Sequence, residues 1–303
     1  MIASSGRGLD MVGSRTPISV VPHFMRLHEW IALDEGHFRA EGLEPELQAE
    51  VMHAASSHRG DPYRARPQDL PFVNHDEVAN SACHWGSVCN AAAGMGKFVP
   101  DVYGVANFTI FVRADSPIRA VDDLRGVPIG VGIMAGSHFT TLEALGDRFS
   151  PDEVVVDNVG GPGERLIALN ESRVGAANLL DPEIAIAEQQ GLRAVVGGQF
   201  KTLFWVSASL SPEVLTRYFA ALRRADEALR GDPSRYLHLW ERNIPPALRG
   251  AAYDTSRFGP GELLVFERYP EEEYERAVAF ARRWGLDQDI QETRYDRLIA
   301  SLA

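Results

Sequence analysis

Apolar residues along this chain fall into short β-branched runs, each closed by a turn and followed by residues at helical spacing. Residues 127–145, VPIGVGIMAGSHFTTLEAL, show the rhythm best. VPIGVG is short and apolar, as a buried parallel strand is. Ala135, Gly136 and Ser137 turn the chain, and Phe139, Leu142 and Leu145 then recur on one helical face. The helix start carries unpaired amides, the Ser137 hydroxyl and His138, and such an end favours an anion. A plain strand-to-helix connection has the same pattern, so both readings stay open.

The same rhythm organises the rest of the chain. Strands are expected at 17–21, 43–51, 82–85, 98–105, 107–113, 127–132, 154–156, 174–179 and 192–196, with a further extended run at 200–210. Helices are expected at 24–38, from His75, from Ser87 through Ala93, and at 137–146, 164–170 and 183–190. Strands alternating with helices through short turns mean an α/β fold with a doubly wound, parallel sheet. Residues 52–70 are polar and proline-bearing, without periodicity, and read as a long loop of the kind that often carries function. After residue 210 the chain turns helical. Ser211-Pro212 supplies an N-cap and a first-turn proline, and amphipathic helices follow at 233–240 and 270–284.

Bulk properties narrow the partners. A chain of 303 residues has ample core for two domains or one large one. Its net charge of −12 argues against sequence-independent nucleic-acid binding and against an anionic membrane surface. A small anion is compatible, because a local site can oppose the global field. Cys83 and Cys89 make no disulfide framework. No run approaches the ~20 apolar residues of a membrane span. The opening residues, MIASSGRGLDMVGSRTPISVV, hold no apolar stretch of export length and no lipobox-like cysteine. A start at Met11 would leave still less leader. The expected location is cytoplasmic.

Three stretches say more than a fold class. They are WIALDEGHFRAEGLEPE (30–46), IFVRADSPIRAVDDLRGVPIGVG (110–132) with Gly-Ser at the next helix start, and RLIALNESRVGAANLLDPEIAIAEQQG (165–191). In their order the chain resembles the type II periplasmic-binding-protein family, in the group serving nitrate, taurine and alkanesulfonate importers. The resemblance spans about residues 17 to 232. It implies two α/β lobes joined by two crossing strands, lobe one being 1–109 plus 205–303 and lobe two 110–204. The ligand cleft would lie between them at the carboxyl ends of the strands, as in open α/β sheets generally. Its lining would then include His23, Arg26 and His28 after the first strand, and His84, Trp85, Gly86 and Ser87 after the third. From the second lobe it would include Gly136, Ser137, His138, Gly161 and Asp181. The resemblance further implies that Ser87 and Ser137 hydrogen-bond the ligand's anionic group.

Seven of the nine histidines precede residue 90: His23, His28, His37, His53, His58, His75 and His84. Histidine titrates near neutrality, so His23 and His138, at a strand end and a helix start, are the candidates for proton transfer. Cys83 is either a nucleophile beside a cleft histidine or a small buried apolar group. Trp85 either stacks on an aromatic ligand or packs. Arg26 and Arg165 either pair with a carboxylate or sulfonate or are solvated. His53 and His58 lack companions at zinc spacing, and neither a metal nor a cofactor is expected. Gly160-Gly161-Pro162-Gly163 lacks the residues of a phosphate loop and reads as a turn.

Some relatives of the importer proteins are enzymes: a hydroxybiphenyl-sulfinate desulfinase, a dihydroxyphthalate decarboxylase and a thiamine-pyrimidine synthase. The desulfinase is similar around VRADSPI, but its nucleophilic cysteine follows strand one, where this chain has His23. The cysteine-rich iron motif of the synthase is not matched by CHWGSVC. The expectation is a lyase-like enzyme of decarboxylase or desulfinase type, acting on a small aromatic, carboxylated or sulfonated anion. The alternative is a non-catalytic solute-binding component of an ABC importer, meeting a permease outside the membrane, or a cytoplasmic ligand sensor.

Overall fold

The computed structural model describes residues 15–52 and 77–303, and among these nine strands pair into one sheet. In chain order they are β1 (Thr16–Val20), β2 (Leu43–Leu47), β3 (Val78–Cys83), β4 (Lys97–Val112), β5 (Ile129–Val131), β6 (Val156–Asn158), β7 (Ala176–Leu180), β8 (Arg193–Val206) and β9 (Leu263–Val265). Their spatial order is β2-β1-β3-β8-β4-β7-β5-β6, with β9 beside β4. At one end β1 is parallel to β2 and β3, and at the other β5 is parallel to β6 and β7. Between them β4 and β8 run antiparallel to each other and to their outer neighbours. Most of the 52–70 loop lies outside the described residues, as do His53, His58 and His75.

β4 and β8 are long because each merges two apolar runs that read separately in the sequence. Asn107 and the Gly197-Gly198 pair interrupt the hydrophobic pattern, yet the backbone ladder continues through both. A Cβ at Gly197 would lie 2.8 Å from Thr109 Oγ1 and 2.9 Å from the Phe108 carbonyl oxygen. Glycine here marks the close approach of the next strand rather than a strand end.

Seven helices longer than one turn flank the sheet among the described residues: α1 (His28–Asp34), α2 (His84–Ala92), α3 (Gly136–Gly146), α4 (Glu164–Asn170), α5 (Glu183–Gln189), α6 (Pro212–Gly231) and α7 (Glu271–Arg283). α6 begins where its sequence signals say: the Ser211 hydroxyl accepts from the Val214 N–H at 3.3 Å, with Pro212 in the first turn. It buries Leu215, Tyr218, Leu222 and Leu229 on one face, packed against α1. Losing one such leucine to alanine costs about 2–5 kcal/mol.

Two boundaries differ from the sequence reading in ways that move the site. α1 starts only at His28, so residues 21–27 form a connection after β1 rather than a helix. β3 starts at Val78 and ends at Cys83, whose Sγ caps α2 by accepting from the Gly86 N–H at 3.4 Å. Residues 84–87 therefore lie inside a helix, not beyond a strand end. Farther on, 233–240 forms short 3-10 turns ahead of a one-turn helix, Trp240–Asn243.

Candidate functional site

Strand ends from both parallel groups converge on one cavity of about 100 Å³. His23 and Met25 reach it from the connection after β1, and Ser81 and Cys83 from the end of β3. Opposite them stand Met134 and Gly136 after β5, Gly161 after β6, Arg165 on α4 and Leu180 at the end of β7. Ligands of open α/β sheets bind at this position, beyond the carboxyl ends of the strands.

On the β1 side the chemistry is a buried charge network. His23 Nδ1 lies 2.8 Å from Glu262 Oε2, and the other oxygen of Glu262 accepts from Arg26 Nη1 at 2.9 Å and from the Thr202 hydroxyl at 2.7 Å. Arg26 also donates through Nε to Glu29 Oε1 at 2.8 Å and lies over the Phe204 ring. Arg26, Glu29 and Glu262 are all fully buried. Burial pushes the Glu262 carboxyl up, but the Arg26 charge and His23 hold it well below the usual carboxylate range. It is therefore ionised, and it fixes the imidazole from behind. His23 Nε2 has no hydrogen-bond partner among the described residues, and the residue lines the cavity. The connection itself is held by Asn243, whose Nδ2 donates to the carbonyls of Phe24 at 3.0 Å and Arg26 at 2.8 Å.

On the β5 side the principal group is Arg165. Arg165 is 1% exposed and donates through Nη1 to Ser137 Oγ at 2.6 Å, while Nε and Nη2 have no partner among the described residues. Ser137 Oγ also accepts from the Gly132 N–H at 3.0 Å, which ties the arginine to the turn after β5. That turn carries Met134 at φ +58°, a left-handed conformation uncommon outside glycine. The Met134 N–H donates to His138 Nδ1 at 3.3 Å. Burial pushes His138 down to about 4, so a neutral ring accepts this bond.

Of the residues expected from sequence, His23, Cys83, Gly136, Gly161 and Arg165 line the cavity. The others lie off it, each for a visible reason. Arg26 is held by Glu29 and Glu262, and His28 Nε2 pairs with Asp226 at 3.0 Å. His84, Trp85, Gly86 and Ser87 are carried away by α2. His84 Nδ1 pairs with the Tyr269 hydroxyl at 2.8 Å, Trp85 stacks on Phe139 and Phe200, and Ser87 donates to the Leu203 carbonyl at 3.0 Å. Ser137 and His138 support the arginine and the turn instead of facing the cavity. Asp181 is partly buried, accepts from Asn107 Nδ2 at 3.3 Å and is pushed up to about 6 by burial.

No family model matches the sequence, and no curated protein matches it. Solved structures do. The alkanesulfonate-binding protein SsuA from Xanthomonas axonopodis pv. citri, solved bound to MOPS, matches with a TM-score of 0.66 at 15% identity, over 96% of this chain and 100% of that one. The periplasmic aliphatic sulphonate binding protein SsuA from Escherichia coli matches at 0.65 and 17% identity, over 94% and 99%. The chain has the periplasmic-binding-protein fold. The desulfurization enzyme DszB, also solved as a variant with biphenyl-2-sulfinic acid, matches at 0.61 and 17% identity, over 95% and 97%. The periplasmic-binding-protein fold thus carries both sulfonate binders and an enzyme, and the fold alone does not choose between them.

Within this periplasmic-binding-protein fold, sequence reasoning missed Glu262, whereas Arg165, read there as either an anion's partner or a solvated arginine, stands in the cavity wall. Glu262 sits in FGPGELLVF, where a lone acid between a glycine turn and an apolar strand was the available signal. Nothing local to Arg165 distinguishes it from a solvated arginine. Among the described residues, no group of three His, Cys, Asp or Glu is arranged to hold a metal, and no helix is long and apolar enough to cross a membrane.

Proposed function

We propose that the cavity binds a small organic oxyanion through Arg165 and that His23 transfers a proton to it, in a lyase reaction of decarboxylase or desulfinase type. One observation carries this reading. The same cavity is walled by a buried arginine, two of whose donors have no partner among the described residues, and by an imidazole backed by an ionised carboxylate. Two parallel donors on a guanidinium suit the paired oxygens of a carboxylate, sulfinate or sulfonate. A cavity of about 100 Å³, smaller than the roughly 150 Å³ that holds benzene, limits the ligand to no more than a single ring unless the lobes part.

The carbon–carboxylate or carbon–sulfinate bond breaks, the proton from His23 Nε2 takes that place on carbon, and carbon dioxide or sulfur dioxide departs. Solvent then reprotonates His23. Glu262 fixes the ring and supports the positive charge of its protonated form, as the carboxylate of a catalytic triad does. Arg165 orients the departing group, and closure of lobes 1–109 plus 205–303 and 110–204 would exclude water. A cytoplasmic setting belongs to this proposal, and cell fractionation tests it.

The fold neighbours described as sulfonate-binding proteins favour a second reading, a non-catalytic binder that delivers its ligand to a permease or a regulator. Single-ring carboxylates and sulfinates, assayed by calorimetry and by product chromatography, separate the two. The enzyme reading expects product from the wild type and, in His23→Ala, binding without product. Binding without product in the wild type overturns it in favour of the binder.

A further inference from the structure

Glu183, in the first turn of α5, is fully buried, and neither of its carboxylate oxygens is hydrogen-bonded to another of the described residues. Arg165 exerts the largest opposing field on it, and Glu183 in turn exerts the largest negative field on Arg165. Yet no hydrogen bond joins them, and among the described residues Nε and Nη2 of the arginine find no partner. Burial opposes the charged form of this carboxyl more strongly than the Arg165 field and its own backbone N–H favour it, so it keeps its proton. Burial pushes Glu183 up to about 8.

We infer that Glu183 is the specificity-determining residue of the cavity, acting through Arg165: while protonated it leaves that arginine opposed only by the weaker field of the partly exposed Glu164 and able to hold a singly charged oxyanion, and when ionised it neutralises the arginine and releases the ligand. This rests on the reading of Arg165 as the anion receptor. The other buried guanidinium at the site, Arg26, is already compensated by Glu29 and Glu262. One positive charge matches one negative charge, and a dianion would bring a second charge into the interior without a counter-ion.

The remaining acids that face Glu183 are Asp181 and Glu164, both partly exposed, and Asp181 has ionised before Glu183 does. Across the cavity the titratable groups are His23 and Cys83, and both remain in every variant below.

The test is calorimetry with benzenesulfonate, which stays singly charged throughout, and phenyl phosphate, a dianion of similar shape. Between about pH 7 and about pH 9 the wild type is expected to lose roughly tenfold in affinity for benzenesulfonate, as a group titrating near 8 requires. Glu183→Gln and Glu183→Leu, each checked for folding by circular dichroism, are expected to lose less than about threefold over the same range. At about pH 7 the wild type is expected to favour benzenesulfonate over phenyl phosphate by at least roughly tenfold. Infrared spectroscopy of the wild type, which needs no variant, is expected to show a protonated carboxyl at about pH 7 that is gone by about pH 9.5. Variants that keep the wild-type loss, phenyl phosphate binding as tightly as benzenesulfonate, or no protonated carboxyl would each overturn the role of Glu183 while leaving Arg165 as receptor. A wild type that binds neither probe nor benzoate overturns both.

Discussion

Gly104 and Glu262 occupy adjoining space so tightly that a Cβ on residue 104 would lie 2.6 Å from Glu262 Cδ and overlap Oε1. Gly104 lies opposite Leu264 in the β4–β9 ladder, which leaves neither strand free to withdraw. The missing side chain is therefore what lets a carboxylate stand behind His23.

Gly104→Ala is accordingly expected to push Glu262 off His23. Overfilling a packed interior costs about 1–3 kcal/mol, and the melting temperature should fall to match. Turnover should fall with it. An unchanged melting temperature together with full activity would show that the carboxylate has room elsewhere.

Glu262→Gln keeps the shape and removes the charge shared by His23 and Arg26. A neutral partner also unsettles which ring nitrogen carries the proton, and comparable changes in catalytic triads cost about 10⁴ in kcat. The expected result here is a loss of at least roughly 100-fold in kcat, with oxyanion affinity changed by less than about tenfold. Parallel kinetics and calorimetry separate the two numbers, and a loss confined to affinity would contradict the assignment.

Arg165→Met should abolish measurable oxyanion binding, because each charge-assisted hydrogen bond contributes about 1.5–3 kcal/mol and two are lost. Ser137→Ala removes the acceptor that aims the guanidinium and should weaken binding by about tenfold through looser positioning. Calorimetry with a single-ring sulfonate measures both. Equal effects from the two variants would mean that Ser137 touches the ligand itself.

Stability should have an asymmetric pH profile. Burial opposes the ionised form of Glu262, but Arg26 and His23 more than offset it, so its stabilisation is complete above about 4.5 and lost as pH falls below that. His84 and His138, pushed down to about 3 and about 4 by burial, contribute stability that is present above about 6.5 and lost on acidification. Asp181 and Glu183 act in the opposite sense. Raised to about 6 and about 8 by burial, they contribute stability at low pH that is lost as pH rises toward those values. The two histidines and the two acids offset one another between about 4.5 and 6, and above about 6.5 only Glu183 still changes. The wild type should therefore lose roughly 2 kcal/mol between about pH 6.5 and 8, and Glu183→Gln should not. Thermal melts across that range decide it.

The β5–α3 unit and α4 to α6 were legible because each has a strong periodicity and a local stop or start signal, Ser211-Pro212 being the clearest. The crossing strands were legible only in halves. Gly197 and Asn107 look like breaks in a single sequence and become continuous only when the neighbouring strand is beside them. The site suffered from a shift at β3: reading the strand end at 85 instead of 83 placed Trp85 and Ser87 where Ser81 and Cys83 stand. His23 was legible as a strand-end histidine. Its partner was not, since no local pattern links a residue after the first strand to an acid in the C-terminal segment. The same holds for Glu183, whose significance lies in the lack of a side-chain partner among the described residues.

His23 and Glu262 are 239 residues apart in the chain. The ring that would move the proton and the carboxylate that fixes it therefore come from opposite ends of the chain, and the pair forms only once the C-terminal segment has returned to the sheet.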